Sequence, residues 1–236
     1  MPNQYFRFKQ FAIRQEKSAM KVGTDGVMLG AWVDVENAKT ILDVGTGTGL
    51  IALMLAQRSK AQIDAVEIDE LSAQQAKENV SNSPWESRVN IYNQSFQQLA
   101  GETFTKYDLI VSNPPYFIKS LKSDEVARTI ARHNEFLPHS DLLTGVSRLL
   151  VNNGRFAGIF PYVEGNVFVA LASTYGLYCS KRVSVYGKSA GPIKRLMLEF
   201  RRERIPVDES TITVRGIDGE FTAEYIQLTK DYYLAF

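Results

Sequence analysis

Thr40-Ile41-Leu42-Asp43-Val44-Gly45-Thr46-Gly47-Thr48-Gly49 reads as a short apolar strand running into a glycine-rich turn, and the apolar spacing of residues 50–57 continues it as a helix. Glycines let backbone approach a ligand closely, and the first turn of a helix offers free N–H groups. The spacing is G-x-G-x-G, with Leu50 where a dinucleotide fingerprint carries its third glycine. No Lys-Ser or Lys-Thr pair follows, so the turn is not a phosphate-cradling P-loop. Asp43 ends the strand, where it would repel a pyrophosphate and attract a ligand bearing an amino group.

On either side of this turn the chain alternates. Residues 63–68 (IDAVEI), 89–92, 107–112 (YDLIVS) and 155–160 read as strands; residues 71–80, 138–150 and 167–175 read as helices. Such alternation predicts an α/β fold, a mostly parallel twisted sheet with right-handed crossovers and helices on both faces. Residues 178–186 and 194–201 (KRLMLEFR) follow one another without a helix between them, which predicts an antiparallel hairpin at one edge. Upstream, Tyr5, Phe6, Phe8 and Phe11 form a strand pattern with Arg7 and Lys9 facing out. Residues 22–33 read as a short helix beginning near Thr24 and Asp25, both good N-cap types. The least regular stretches are 117–135, 187–192 and 203–220.

Composition narrows the function. The 236 residues include one cysteine, Cys179, and two histidines, His133 and His139, which leaves no disulfide framework and no Cys- or His-rich metal site. A lone cysteine suits a reducing cytosol. No apolar run reaches the roughly 18 residues of a membrane span, and the first eleven residues carry no apolar signal core. With 27 basic against 26 acidic residues the chain is no polycation, so contact with nucleic acid must come from a local patch. Nothing marks an obligate dimer, and a monomer of one large domain is expected.

Glu67 closes the second strand, in Val66-Glu67-Ile68-Asp69, placed to accept both hydroxyls of a ribose. Asp69 stands where it caps the next helix. Asp43, the glycines and Glu67 together describe a site for a ribonucleoside with a cationic, non-phosphate tail, a description S-adenosylmethionine fits. Asn113-Pro114-Pro115-Tyr116 follows the strand at 107–112, at the sheet edge where open α/β folds bind ligands. Paired prolines lack N–H groups and hold the chain extended, so the loop presents carbonyl acceptors without competing donors. An amine conjugated to a planar base is a weak nucleophile. Accepting its two hydrogens, at Asn113 Oδ1 and the Pro114 carbonyl, favours the pyramidal form and stabilises the charge that develops on methyl transfer. Tyr116 would stack on the base.

DVGTGTG, VEID and SNPPY in this order resemble the class I S-adenosylmethionine-dependent amino methyltransferases, a Rossmann-like superfamily whose NPPY members modify adenine N6, guanine N2 or a glutamine amide. The segments FKQF (8–11), MKVGTDG (20–26), LGAW (29–32) and RHNE (132–135) closely resemble the bacterial tRNA adenine-N6 methyltransferases, which modify adenosine 37 beside the anticodon of a valine tRNA. The resemblance runs from about Tyr5 to Tyr232-Tyr233-Leu234. It implies a single methyltransferase domain, with residues 1–36 covering the cofactor pocket and 37–236 as catalytic core. It implies that Lys21, Thr24 and Asp25 close that pocket, and that Asp43, Gly45, Thr46, Gly47, Gly49, Glu67, Ile68 and Asn113 bind the cofactor. Many relatives carry an acid after the third strand to read the cofactor's adenine amine; here the segment is Asn93-Gln94-Ser95-Phe96, and Ser95 or Gln94 takes that place. Asn113, Pro114 and Tyr116 would be catalytic.

The charge is uneven. Residues 178–204 hold Lys181, Arg182, Lys188, Lys194, Arg195, Arg201, Arg202 and Arg204, with Tyr178 and Tyr186 interleaved, and Lys119, Lys122, Arg128 and Arg132 follow NPPY. Basic residues among aromatics suit RNA backbone and unpaired bases; a solvated edge hairpin would look the same. The expected RNA contacts are Tyr116, Phe117, Lys119, Arg132, His133, Lys181, Arg182, Lys194 and Arg195. Competing readings are methylation of another planar amine (guanine N2 or adenine in ribosomal RNA, adenine in DNA, a protein glutamine), a non-catalytic RNA-binding protein of the same fold, and a nicotinamide oxidoreductase, which Leu50 and NPPY oppose.

Overall fold

The computed structural model describes residues 4–18, 20–114 and 137–236. Its elements are β1 (Tyr5–Arg7), β2 (Ala12–Arg14), α1 (Thr24–Trp32), β3 (Thr40–Val44), α2 (Leu50–Arg58), β4 (Gln62–Glu67), α3 (Glu70–Ser81), β5 (Val89–Asn93), α4 (Phe96–Glu102), β6 (Tyr107–Ser112), α5 (His139–Leu149), β7 (Leu150–Pro161), α6 (Tyr162–Thr174), β8 (Tyr178–Lys188), β9 (Ile193–Arg201), β10 (Asp208–Arg215) and α7 (Ala223–Thr229). Eight strands form one sheet in the order β10-β8-β9-β7-β6-β3-β4-β5. From β5 to β7 every pair is parallel. β9 then runs antiparallel to β7 and β8 antiparallel to β9, so the hairpin stands where the sequence predicts it. β10 adds a strand outside it, parallel to β8.

The period of two along each strand divides the core between the faces. Ile41, Leu109, Val111 and Ile159 pack with α1 and α2 on one side; Leu42, Val44, Ile110 and Phe156 pack with α5 and α6 on the other. The chain passes from β3 outward through β4 and β5, then returns to the other side of β3 as β6. The reversal leaves a crevice between the carboxyl ends of β3 and β6, the place where such sheets bind ligands.

Several elements differ from the sequence reading. α1 begins at Thr24, and its N-cap is Gly23 with no side-chain cap; Asp25 instead sits in the first turn, where a carboxylate favours the helix dipole. α4, β10 and α7 were not legible. β10 lies within a stretch read as irregular, because Asp208-Glu209-Ser210-Thr211 is polar and exposed at the sheet edge and only Ile212 is buried.

The N-terminal segment is bound at both ends of the fold. Buried Asn79 on α3 accepts from Arg14 N (2.8 Å) and donates to Arg14 O (2.9 Å) and Thr48 O (2.8 Å), tying β2 to the glycine turn. Phe8 bridges to Tyr233, and Lys9 Nζ donates to the Lys230 and Phe236 carbonyls, both at 2.6 Å. Tyr232 is buried among these aromatics and donates its hydroxyl to Met54 O on α2 (3.1 Å). Tyr232→Ala should lower stability by about 3–5 kcal/mol, the range for truncating a buried aromatic, read as a lower urea midpoint.

Candidate active site

The turn after β3 is held from below. Gly45 N and Thr46 N both donate to Val66 O on β4 (2.9 and 3.1 Å). Gly45 and Gly47 adopt φ of +72° and +57°, which an L side chain resists, and a Cβ at either would meet nothing within 4 Å. The turn therefore exposes bare backbone to open space. Gly49 caps α2 in the left-handed region.

Asp43 lies wholly buried under this turn. Its Oδ2 accepts from Thr46 Oγ1 (2.6 Å) and Ala52 N (3.1 Å), which fixes the turn to the first residues of α2. Its Oδ1 has no hydrogen-bond partner. Burial pushes this carboxyl up from about 3.8 to about 7, against the lowering effect of the two hydrogen bonds. A buried carboxylate oxygen with no donor costs free energy that a cationic amino group would relieve.

Glu67 is already engaged by the backbone. Oε2 accepts from Gly47 N (2.8 Å) and Oε1 from Asp69 N (2.9 Å), so the side chain shapes the turn as well as facing it. Each carboxylate oxygen retains a second acceptor direction for a ligand hydroxyl. Burial raises its pKa, against those same hydrogen bonds. Asp69 caps α3 through Ser72 N (2.8 Å), as its position predicts. Ile68 beside it is 40% exposed, an apolar surface open to a ligand. Ser95 is occupied as the N-cap of α4, accepting from Gln98 N (3.1 Å). Sequence reasoning missed Asn93, whose amide donates to Glu67 O (3.0 Å) and Ile68 O (3.2 Å) and fixes the end of β4. Its position directly opposite Glu67 in the β4–β5 ladder was the available signal.

Across the crevice, Asn113 is half-buried and Pro114 buried at the end of β6. α1 stands over them: a Cβ at Gly26 would lie 4.0 Å from Asn113 Nδ2. Tyr116, Phe117, Lys119, Arg132 and His133 lie outside the described residues, as do Lys122 and Arg128.

Several of the other expected site residues make contacts within the protein. Lys21 Nζ donates to the Gln15 and Ser18 carbonyls, bracing the segment ahead of α1. Thr24 is exposed. Asp25 pairs with Arg195 Nε at 2.7 Å, joining α1 to β9. Arg182 donates to Asn166 Oδ1 (2.9 Å). Lys181 lies 3.9 Å from buried Glu199, which Arg201 also bonds (3.0 Å). Arg202 donates to the Ser147 and Leu150 carbonyls, and Arg204 covers the Tyr178 ring. Lys194 is exposed. Trp85 packs edge-on to Phe11, and His139 starts α5 with its ring against Phe160 and Phe168.

The raised Asp43 carboxyl carries a pH signature. Its folded pKa exceeds the unfolded value, so between about pH 4 and 7 the folded protein binds more protons than the unfolded chain, and stability falls as pH rises through that window. Glu67 acts in the same direction. His139, whose pKa burial lowers, acts in the opposite direction, so the Asp43 signature is read by difference: from pH 5 to pH 7 the ligand-free protein should lose stability relative to Asp43→Asn, and equal changes in melting temperature for the two proteins would refute this.

The profile of the Methyltransferase small domain family matches residues 18–151. A tRNA1(Val) (adenine(37)-N6)-methyltransferase of Trichodesmium erythraeum is 48% identical over the whole of both chains. One of Bacteroides fragilis is 46% identical over 99% of each. In fold, the chain is similar to a crystal structure of a predicted O-methyltransferase from Agrobacterium tumefaciens, with a TM-score of 0.68 at 17% identity over 88% of this chain and 96% of that one. A parallel sheet with its glycine turn over a buried aspartate, together with relatives matched from end to end, assigns the chain to the Methyltransferase small domain family and, within it, to the tRNA1(Val) (adenine(37)-N6)-methyltransferases.

Proposed function

We propose that this protein transfers a methyl group from S-adenosylmethionine to the exocyclic N6 of an adenosine in tRNA, adenosine 37 beside the anticodon of a valine tRNA, acting as a monomer in the cytoplasm where that substrate is found. The observation that carries the reading is the pairing, across one crevice, of a cation-seeking carboxylate under open backbone with the Asn113-Pro114 acceptors. The full-length relatives point to the same substrate.

The chain fits this cofactor. Asp43 Oδ1 is a buried acceptor lacking a donor, as an α-ammonium requires, and Gly45 and Gly47 leave room where side chains would obstruct. Glu67 would receive the ribose hydroxyls, Ile68 would pack on the adenine, and Asn93 and Ser95 hold the backbone around it. Bound, the cofactor supplies an electrophilic methyl group on a sulfonium.

The remaining work belongs to the protein. Asn113 Oδ1 and the Pro114 carbonyl accept the two amine hydrogens of the target base and turn its lone pair out of conjugation. The same acceptors stabilise the cationic nitrogen formed as the methyl arrives. No base is needed to begin, because the proton leaves afterwards to solvent. Tyr116 would hold the base in line. An anticodon loop is single-stranded, so presenting one base costs less than in a duplex.

Incubating the protein with methyl-labelled S-adenosylmethionine and total tRNA from a strain lacking its gene should raise N6-methyladenosine, read by nucleoside mass spectrometry; methyl transfer to ribosomal RNA or protein alone would overturn the reading. Asn113→Ala should reduce kcat by about a hundredfold or more, as for the loss of one preorganised acceptor, with cofactor affinity retained. Glu67→Ala should weaken cofactor binding and leave tRNA affinity unchanged at saturating cofactor.

A further inference from the structure

The cations of the hairpin sort into two groups. Lys181, Arg182, Arg195, Arg201, Arg202 and Arg204 all engage groups of the protein itself. Lys188 and Lys194 are exposed, and neither side chain makes a hydrogen bond or ion pair among the described residues. They flank the β8–β9 turn, and this turn points the same way as the carboxyl ends of β6 and β7. The register sets the alignment: Ser112 pairs with Gly158, Pro161 with Arg195, Val185 with Arg195 and Lys188 with Arg215. Moving outward from Asn113, one meets Tyr162 after β7, Lys194 at the start of β9 and Lys188 at the end of β8. Three strand spacings, about 14 Å across the sheet, separate the first from the last, and the register carries Lys188 about five residues, roughly 16 Å, further along the strand direction.

The turn is held firmly. Ser189 N donates to Arg215 O on β10 (2.9 Å), Gly191 N donates to Lys188 O (3.0 Å), and Ala190 keeps a φ of +61°. β10 is thus the strut that fixes the two lysines. Tyr162 is 39% exposed and its ring pairs with no other ring among the described residues. An open aromatic face followed by two free ammonium groups along one edge matches a single strand of RNA, with a base for the ring and phosphates for the lysines.

We propose that Tyr162, Lys194 and Lys188 form a track that holds the RNA strand adjoining the target adenosine, Tyr162 stacking on a neighbouring base and the lysines contacting successive phosphates. This rests on the tRNA reading above. It assigns no RNA contact to Lys181, Arg182 or Arg195.

The test uses the full-length protein with tRNA, measuring tRNA KM, kcat, the salt dependence of tRNA binding and cofactor affinity. Lys188→Gln with Lys194→Gln should raise tRNA KM about tenfold and reduce the slope of log K against log salt by about 1.4, from 0.7 per phosphate contact on a single strand. Both kcat and cofactor affinity should hold. Tyr162→Ala should raise tRNA KM fivefold or more, and Tyr162→Phe should restore it. Lys77→Gln, on the far helix α3, should change nothing. If the wild-type protein methylates tRNA while the double variant keeps its KM and salt slope, the track is wrong and the functional reading stands. If the wild-type protein neither binds nor methylates tRNA, both fall.

Discussion

A carboxylate held out of water organises the catalytic edge. Asp43 is on a central strand with helices on both sides, and the chain folds its glycine turn around that side chain: Thr46 and Ala52 donate to one oxygen, and the other is left without a donor. Such an arrangement is expensive for the empty protein and favourable for one holding a cation. Glu67 reinforces it from the neighbouring strand by bonding Gly47 N, so the groups suited to the two ends of one cofactor also set each other's position.

The N-terminal segment is fastened to the rest of the fold from outside the sheet. Its attachments are polar and widely spaced in the chain: Asn79 joins β2 to Thr48 of the turn, Lys17 pairs with Glu78, and Asp25 pairs with Arg195. The last contact sits where α1 approaches Asn113 at Gly26, so Arg195 holds in place the helix that stands beside Asn113. Half-buried and paired, Arg195 has less freedom to reach a phosphate than exposed Lys194 beside it.

Local signals were legible in the sequence. β3 and β6 have the bounds their apolar runs predict, and Asp69 caps α3 as its place after a strand implies. The glycine turn, Asp43 and Glu67 were legible for the same reason, since a strand end and a turn lie within a few residues of one another. What escaped depends on partners far along the chain. β10 has a polar first half because it is an edge strand, and it becomes a strand only through pairing with β8. The roles of Lys181, Arg182 and Arg195 depend on Glu199, Asn166 and Asp25, and no spacing rule links positions 25 and 195.

The contact of Lys9 with the carbonyls of Lys230 and Phe236 has a consequence for synthesis. A strand made within the first dozen residues docks against a helix and tail that leave the ribosome some 220 residues later. The parallel sheet can assemble progressively as its strands emerge, β2 can dock on Asn79 once α3 is out, and α1 can settle on α2, but the Phe8 and Lys9 contacts must wait for α7 and the residues after it. Until residues near 230 are free, Phe6 and Phe8 lack the Tyr232 and Tyr233 rings that pack against them. The first strand of the described fold is therefore pinned only after nearly all of the rest has been made.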